Sequence, residues 1–573
     1  MNTSNDDSRE KDEMVLPLTA MRQKLTNMKK ITYILISVLF LGSFSSCNDI
    51  LEENPVGLAT ADSYYATPKG IEDGLKAVYT TLRKFYGQED SFFLTVTGTD
   101  VFTNGFGGVT NSPDINNYSA NLLGTNGMVT SVWNNFYTGI NQANAVISRA
   151  PKVEGISDAE KQRIIAEARF IRGLYYFHLV QQFGDVHFSL EETIGVQTTA
   201  NRTAVKTIYD QGIIPDLQFA IDHLPAKAAK YGRVTKPASE ALLARVQLTL
   251  GNWTEAERLA SSVIKSYDFQ LVKPFARLWD ISNDVNSEVI WSVQFTADPL
   301  SNGDGNQSHL FFIFDYAQNP TIIRDLANGR PFQRFMPTNY LIKLFDPAKD
   351  SRWDGTFKTV WIANNKGTIN GKAVAPGDTA IKIVPYPVAD AVQNTVPYWL
   401  IDFNDNWVGG AVTNLEIGGG QRRRFPAVKK YLDPLRSSIN AVDGRRDFTV
   451  IRLAELYLIA GEAAWRQSKN AEAAAYFNVV RTRAAVEGKE AQMQIAASDV
   501  NLDFILDERA RELVGEVDRW YDLKRTGTLL TRVKKYNLDA APNIKEMHLV
   551  RPIPQTQLDR VTNPGEFLQN PGY

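Results

Sequence analysis

The sequence predicts a mostly α-helical protein with a loop-rich lobe that contains short β-strands. Apolar residues recur at spacings of three and four in segments near both ends of the chain, which is typical of amphipathic helices. Two pairs of these segments are separated by short glycine or polar turns, a pattern that indicates helix hairpins. The middle of the chain is rich in Gly, Pro, Asn and aromatic residues, with only brief runs of alternating polarity. Together these observations favour a helical scaffold interrupted by an irregular lobe.

Three helices are predicted in the first half of the chain. Residues 161–183 place their apolar side chains on one helical face. Residues 237–250 form the next predicted helix, and Gly251 supplies a tight turn after it. Thr254 and Glu257 have the spacing of a capping box, so a third helix is expected to begin there.

Further helices are predicted near the C-terminus. Residues 453–464 and 471–485 form a second hairpin, with alanines where the two helices would touch. A last amphipathic helix is predicted over residues 503–524, with Glu512 and Glu516 on one face. This pair has the spacing of an acid–base couple, but the surrounding arginines favour structural ion pairs.

The composition of the chain limits its chemistry. The 573 residues include 62 basic and 64 acidic side chains, a net charge of −2, so no basic excess indicates a nucleic-acid-binding protein. A single cysteine excludes a disulfide framework and a cysteine-based zinc site. Only five histidines are present, and His178 lies within a predicted helix, where a packed histidine is favoured over a ligand. We therefore predict no metal and no cofactor.

The single cysteine follows a segment typical of secreted proteins. Lys29 and Lys30 precede the apolar run 31–44, and two serines then lead to Cys47. This junction resembles the lipobox of bacterial lipoproteins, which implies that Cys47 is acylated and becomes the new N-terminus. An ordinary signal peptide followed by a free thiol is the alternative. The sequence leaves open which methionine starts translation. A start at Met21 or Met28 would place the basic residues near the N-terminus, as a signal peptide requires, whereas a start at Met1 would not.

Several motifs resemble the SusD/RagB family of outer-membrane nutrient-binding lipoproteins, in the family's order and across residues 47–573. The motifs are AEARFIRGLYYF at 166–177, GRVTKPA at 232–238, RLAELYLIAGEA at 452–463, DERAREL at 507–513 and DRWYDLKRTG at 518–527. The resemblance implies four tetratricopeptide-like helix pairs and a lobe that varies among members. It also implies a SusC-like TonB-dependent transporter as partner, and a location on the outer membrane, lipid-anchored and facing the cell exterior.

The resemblance further implies a division of the chain into consecutive segments. They are an N-terminal extension with signal peptide (1–46), a lipidated tether (47–60), an N-terminal helical region (61–267) with an early binding loop (90–127), a variable loop-rich lobe (268–443) and a C-terminal helical region (444–573).

Aromatic residues in the loops are the predicted ligand contacts, because a flat ring packs against the C–H face of a sugar. Neighbouring Asn, Asp and Arg side chains would hydrogen-bond the hydroxyls. The candidate ligand-binding residues are Asp100, Phe102, Asn104 and Phe106 in the early loop, and Trp361, Tyr398, Trp399, Asp402 and Trp407 in the lobe. For each tryptophan, core packing is the alternative role. The early loop and the lobe are expected to converge on one edge of the scaffold.

The sequence favours a binding protein over an enzyme. It contains neither a Gly-x-Ser-x-Gly elbow nor a His-Glu-x-x-His pair. Residues 367–373 superficially resemble a phosphate loop and are predicted to form a hairpin turn. Residues 418–425, GGGQRRRF, leave two interpretations open: backbone N–H groups that cradle an anion, or a solvated basic tip. The predicted function is glycan capture and delivery to the transporter, with a peptide-binding family member or a surface glycoside hydrolase as alternatives.

Overall fold

Eight helices build the scaffold, and local sequence signals set several of their ends. The computed structural model describes residues 61–403 and 422–573. The scaffold helices are α1 (Pro68–Leu82), α2 (Gly127–Arg149), α3 (Asp158–Phe183), α4 (Ile214–His223), α5 (Lys236–Leu250), α6 (Trp253–Ser266), α7 (Leu453–Arg466) and α8 (Asn470–Ala484). The Ser157 side chain caps the start of α3 by accepting a hydrogen bond from the Glu160 N–H. Gly251 ends α5 at φ +78°, a left-handed conformation that favours glycine.

Each scaffold helix packs against the next one along the chain, from α1 to α8, so the eight helices form four consecutive pairs. Small residues let the helices approach closely. A Cβ added to Gly461 of α7 would lie 2.8 Å from the ring of Phe477 in α8, so a larger residue would force these helices apart. The predicted helical scaffold is therefore confirmed.

Two details of the predicted helices are wrong. The capping box at Thr254 does not form, because α6 begins one residue earlier and the Thr254 hydroxyl donates instead to Gln467, at 3.1 Å. The single helix predicted over 503–524 is two helices, α9 (Leu502–Glu512) and α10 (Arg519–Arg525), which α11 (Leu529–Tyr536) follows. The chain turns between them at Gly515, whose φ of +74° is incompatible with a right-handed helix.

Short strands lie mainly in the lobe and make small sheets. The strands are β1 (Phe102–Asn104), β2 (Val289–Val293), β3 (Phe335–Pro337), β4 (Phe357–Lys358), β5 (Val360–Ile362), β6 (Gly367–Ile369), β7 (Lys372–Val374), β8 (Thr379–Ile383), β9 (Trp399–Ile401), β10 (Ala427–Val428) and β11 (Phe448–Arg452). β8 pairs with β5 on one side and β9 on the other, while β1–β3, β2–β11, β4–β10 and β6–β7 form separate ladders. The β6–β7 hairpin confirms the turn predicted at 367–373.

The early segment 90–127 is more regular than the predicted loop, since short helices occupy much of it. The shorter helices of the described chain are Ala61–Tyr65, Glu89–Thr95, Phe106–Asn111, Pro113–Asn117, Val205–Ile208, Pro299–Asn302, Ser308–Phe311, Asn339–Lys343, Arg352–Thr356, Asp390–Gln393, Glu490–Met493 and Gln555–Leu558. The helix at Phe106 follows β1 directly, so the chain between Phe102 and Asn111 is held at both ends.

A buried ion network joins α9 and the turn after it to the lobe and to β11. Arg352 pairs with Glu508 at 2.8 Å, and Arg452 pairs with Glu512 at 2.7 Å and Glu516 at 2.9 Å. Burial alone would raise the pKa of Glu512, but the nearby guanidiniums outweigh it and lower that pKa to about 2. The prediction that Glu512 and Glu516 form structural ion pairs is confirmed.

The chain divides into two units. Residues Met1–Ser63 form one, of which 61–63 are described, and Tyr64–Tyr573 form the other, around a large apolar core. Across the described residues, the helices include none with the length and apolar character needed to span a membrane. Within 61–403 and 422–573, no group of three His, Cys, Asp or Glu side chains is arranged to hold a metal ion.

Candidate functional site

Four of the predicted ligand contacts lie in the core. Asp100, Phe102, Asn104 and Trp361 are each 0% exposed. A side chain without accessible surface has no face to offer a sugar. The structure thus differs from the expectation that these four residues contact a ligand, and the reason is different for each side chain.

Asp100 is the acceptor at the centre of an ion cluster. Arg519 donates to its carboxylate from Nη2 at 2.6 Å, and Arg532 donates from Nε at 2.7 Å. Burial would raise the pKa of Asp100, but these two guanidiniums outweigh it and hold that pKa below its usual value. Asp100 therefore ties the early segment to α10 and α11.

Phe102 and Asn104 belong to β1, which pairs with β3, and all three residues of this strand are buried. Asn537 donates to the Phe102 carbonyl at 3.1 Å, and Arg422 donates to the Asn104 carbonyl at 2.7 Å. The strand is a structural connection between the scaffold and the lobe.

Trp361 lies on the buried face of the sheet formed by β5, β8 and β9. Its ring lies edge-on to Phe314, with 5.0 Å between centroids. Trp361, Ile381 and Trp399 are cross-strand neighbours in one row of this sheet. The row runs from the fully buried Trp361 to the partly exposed Trp399, so on this face the sheet reaches solvent at β9, whereas β5 exposes Val360 and Ile362 on the other face.

The early segment and the lobe meet where the sequence predicts that they converge. The Phe106 N–H donates to the Arg422 carbonyl at 3.3 Å. The guanidinium of Arg423 lies 3.5 Å from the centroid of the Phe106 ring, and that of Arg424 lies 4.0 Å from the centroid of Trp399. Both distances are within the range of a cation–π contact. We call these four side chains, Phe106, Trp399, Arg423 and Arg424, the aromatic–arginine site.

Glycines allow this close approach of the early segment to the lobe. A Cβ at Gly107 would lie 2.0 Å from the Phe332 carbonyl oxygen, and one at Gly108 would lie 2.3 Å from that of Arg334. No other residue type fits there without moving the backbone. Phe332 itself is partly buried between the guanidiniums of Arg330 and Arg334, at 5.0 and 5.3 Å from the ring centroid.

Tyr398 and Asp402 flank Trp399 and are partly exposed. The Val388 N–H donates to Asp402 Oδ2 at 2.7 Å, which fixes the chain between β8 and β9. The remaining predicted contact, Trp407, and the predicted lipidation site, Cys47, lie outside the described residues.

Arg423 and Arg424 are the residues of this site that the sequence interpretation did not select. The sequence signal was present, since both belong to the basic run at 418–425. The basic run left two interpretations open, an anion cradle or a solvated tip, and neither of them placed the guanidiniums on aromatic rings. The aromatic partners are distant in sequence, so the run alone does not reveal them.

Other cavities lie on the scaffold side. One of about 440 Å³ opens between α1, α3 and the segment before α5. Its charged lining is internally paired, with Arg163 and Arg233 both bonded to Glu167. His178 is also internal: it lies between the hydroxyls of Tyr86 and Tyr521, at 2.9 and 3.0 Å, which confirms the packed role predicted for it.

Two family models match this chain. The SusD family model matches residues 287–573. A model described as "Starch-binding associating with outer membrane" matches residues 68–248. These two segments contain the scaffold helices except for α6 and the last two residues of α5, which lie between them.

Individual relatives agree with this match. A SusD-like protein of Formosa agariphila is 27% identical over 545 residues, covering 92% of this chain and 97% of the relative. The starch-binding protein SusD of Bacteroides thetaiotaomicron is 25% identical over 452 residues, covering 74% and 75%. A solved laminarin-binding SusD-like protein superposes with a TM-score of 0.66 at 23% identity, across 88% of this chain and 100% of that one. With a family model matching half of the sequence and a shared fold along most of it, the chain belongs to the SusD/RagB family.

Proposed function

We propose that this protein is a surface lipoprotein that binds glycans and delivers them to a SusC-like TonB-dependent transporter. The observation that supports this best is the aromatic–arginine site, where two consecutive arginines each lie over an aromatic ring, one ring from the early segment and one from the lobe. An aromatic face packs against the apolar face of a pyranose, and guanidiniums donate hydrogen bonds to its oxygens. Named relatives that bind starch and laminarin support a saccharide as the ligand.

The proposed ligand contacts are Phe106, Tyr398, Trp399 and Asp402 of the original candidates, together with Arg423 and Arg424. Each is partly buried, so each has both a structural anchor and an accessible surface. Among residues 61–403 and 422–573, Asp402 accepts one backbone hydrogen bond, from Val388, and its carboxylate has further lone pairs that could accept from sugar hydroxyls.

The anchor and the partner rest on the N-terminal sequence and the family. Acylated Cys47 would tether the protein to the outer membrane, with its body facing the cell exterior. A family model described as associating with the outer membrane supports this location. Several acyl chains are needed for stable attachment, because a single chain anchors a protein only weakly.

A non-catalytic role fits the protonation states of Glu512 and Glu516, the two carboxylates with the spacing of an acid–base couple. A glycosidase needs one carboxylic acid that stays protonated near neutral pH. The pKa of Glu512 is instead about 2, because burial, which alone would raise it, is outweighed by the guanidiniums of Arg483 and Arg452. Glu516 donates no proton either, since Arg452 and Lys430 bind its oxygens at 2.9 and 2.8 Å.

The test is incubation of the protein with a panel of polysaccharides and peptides, followed by affinity measurement and product analysis. We expect saturable glycan binding without shortened oligosaccharides. Peptide binding alone would favour the peptide-binding alternative, and release of oligosaccharides would favour a hydrolase. Co-purification of the transporter from outer membranes tests delivery separately, and its absence would contradict that part of the proposal.

A matched pair of variants locates the site. Trp399→Ala should weaken glycan binding about fivefold or more, since each stacked ring contributes on the order of 1 kcal/mol or more. Trp465→Ala is the control, because Trp465 is also partly buried and also carries a stacked guanidinium, that of Arg466 at 4.9 Å, but belongs to scaffold helix α7. Equal affinities of the two variants would contradict the placement of the site.

A further inference from the structure

The segment from Arg422 to Leu432 concentrates positive charge. It contains three arginines and two lysines and no acidic residue. Two of these five cations have internal carboxylate partners: Arg422 pairs with Asp539 at 2.5 Å, and Lys430 pairs with Glu516 at 2.8 Å. These two are buried and act as structural cations.

The other three cations of the segment behave differently. Arg423, Arg424 and Lys429 are partly exposed, and within the described chain none of them forms an ion pair with a carboxylate. The two arginines are instead stacked on Phe106 and Trp399. Stacking fixes the plane of a guanidinium but leaves the N–H groups at its edge available.

A fourth cation joins them from the neighbouring strand. Lys358 of β4 pairs in register with Ala427, three residues after Arg424 and two before Lys429. Its ammonium lies 5.5 Å from the centroid of the Trp361 ring. Burial lowers the pKa of Lys358, and the charge of Lys429 lowers it further, although Asp325 opposes this. The nearest acids, Asp325 beside Lys358 and Asp354 beside Lys429, form no ion pair with either lysine.

Such a cluster is unfavourable without a counter-charge. Burial lowers the pKa of Arg424 and of Lys429, which shows that their environment disfavours the charged form. Arg334, which lies near the site, shows the contrasting arrangement, since Glu89 is 2.6 Å from it. An anion bound between the stacked guanidiniums would supply the missing partner, and Arg presents a fork that matches carboxylate and sulfate oxygens.

We propose that the glycan bound at the aromatic–arginine site is acidic, with carboxylate or sulfate groups contacting Arg423 and Arg424 while its sugar rings pack on Trp399 and Phe106. This inference rests on the proposed glycan-binding function. Uronate and sulfate esters share the chemistry that the guanidiniums recognise, and Lys358 and Lys429 extend the positive surface for a repeating charged chain.

The test is calorimetric titration of the full chain with three oligosaccharide series, at about 50 and about 500 mM NaCl. Polygalacturonate oligomers carry only carboxylates, dextran sulfate oligomers carry only sulfates, and laminarin oligomers are neutral. We expect binding of at least one acidic series, weakened about tenfold by the higher salt because screening shortens the Debye length from about 14 to about 4 Å. Whichever acidic series binds identifies the group that is recognised.

Variants assign that binding to the site. Arg424→Gln should lower affinity for the acidic ligand about 10- to 100-fold, the range for a lost charge-assisted contact. Arg424→Lys keeps the charge and should recover part of the loss. The control is Lys382→Gln, which removes one positive charge from the exposed face of β8, and it should change affinity less than about twofold.

The remaining outcomes contradict the inference in distinguishable ways. Binding of laminarin alone, insensitive to salt and to Arg424→Gln, would overturn the acidic ligand and leave glycan binding intact. Acidic binding that Arg424→Gln and Lys382→Gln weaken equally would place the anion elsewhere. Failure of all three series to bind would overturn this inference and the proposed function together. Thermal unfolding of each variant establishes that a loss of affinity is not a loss of fold.

Discussion

Trp361 provides a sharp test of the division between core and site, because the structure places it two strands from Trp399, across Ile381, in the same row of the sheet. It has no exposed surface, and its ring contacts Phe314 edge-on. Truncation of a fully buried tryptophan costs about 3–5 kcal/mol of unfolding free energy. Trp361→Ala should therefore destabilise the protein by about that amount.

Trp361→Phe separates packing from ligand contact. The indole N–H of Trp361 has no hydrogen-bond partner within the described chain, so replacing it with a ring of similar shape loses no bond. We expect a cost of about 1.5 kcal/mol or less and unchanged glycan affinity, as for a conservative core substitution.

The assay is thermal unfolding together with a glycan-binding isotherm for each variant. A unit of about 500 residues has an unfolding entropy of about 1 kcal/mol/K, so a loss of 3–5 kcal/mol lowers Tm by only about 3–5 °C. Scanning calorimetry resolves that shift. If Trp361→Phe kept its Tm but lost glycan affinity tenfold, the ring would face ligand and the assignment of Trp361 to the core would be refuted.

Three further predictions concern other parts of the molecule. Cys47→Ala should leave the protein folded but shift it from the membrane fraction to the soluble fraction, and a variant that still sediments with membranes would contradict the lipobox. Arg452→Met should lower the unfolding free energy by about 3–5 kcal/mol, because it strands buried carboxylates, whereas Arg258→Met, on an exposed pair, should cost less than about 1 kcal/mol by urea unfolding. Burial lowers the pKa of His178 to about 3, whereas the same side chain has a pKa of about 6.5 in the unfolded chain. The stability contributed by the neutral, buried imidazole is therefore complete above pH 6.5 and is lost as the pH falls below that value. Between pH 7.5 and 5 the unfolding free energy of His178→Gln should therefore fall about 2 kcal/mol less than that of the wild type, and equal slopes would disprove a buried neutral histidine.

The helices of the scaffold are determined by the sequence, because their signals are local. Apolar spacing predicted α3, although the structure buries every residue from Phe170 to Phe183, and Gly184 directly after it ends the helix at the predicted residue. The family resemblance implied four helix pairs, but local spacing predicted only α3, α5, α6, α7 and α8 individually, and α1, α2 and α4 were not predicted. Glu512 forms structural ion pairs as predicted, but its partners Arg352, Arg452 and Arg483 come from other segments and not from the arginines next to it in the sequence.

The site required the tertiary structure, because its partners are far apart in the chain. Asp100 lies in a segment with the composition of a ligand-binding loop. Only folding brings Arg519, 419 residues away in the sequence, onto its carboxylate. Trp361 and Trp399 were equivalent as residues in an irregular lobe, and both lie on edge strands of one sheet. The surrounding chain, including Phe314, encloses Trp361 and leaves Trp399 partly exposed. Arg423 and Arg424 were visible in the sequence as a basic run. Their stacking on Phe106 and Trp399 depends on the convergence of two segments, and periodicity and local spacing carry no information about which distant surfaces meet.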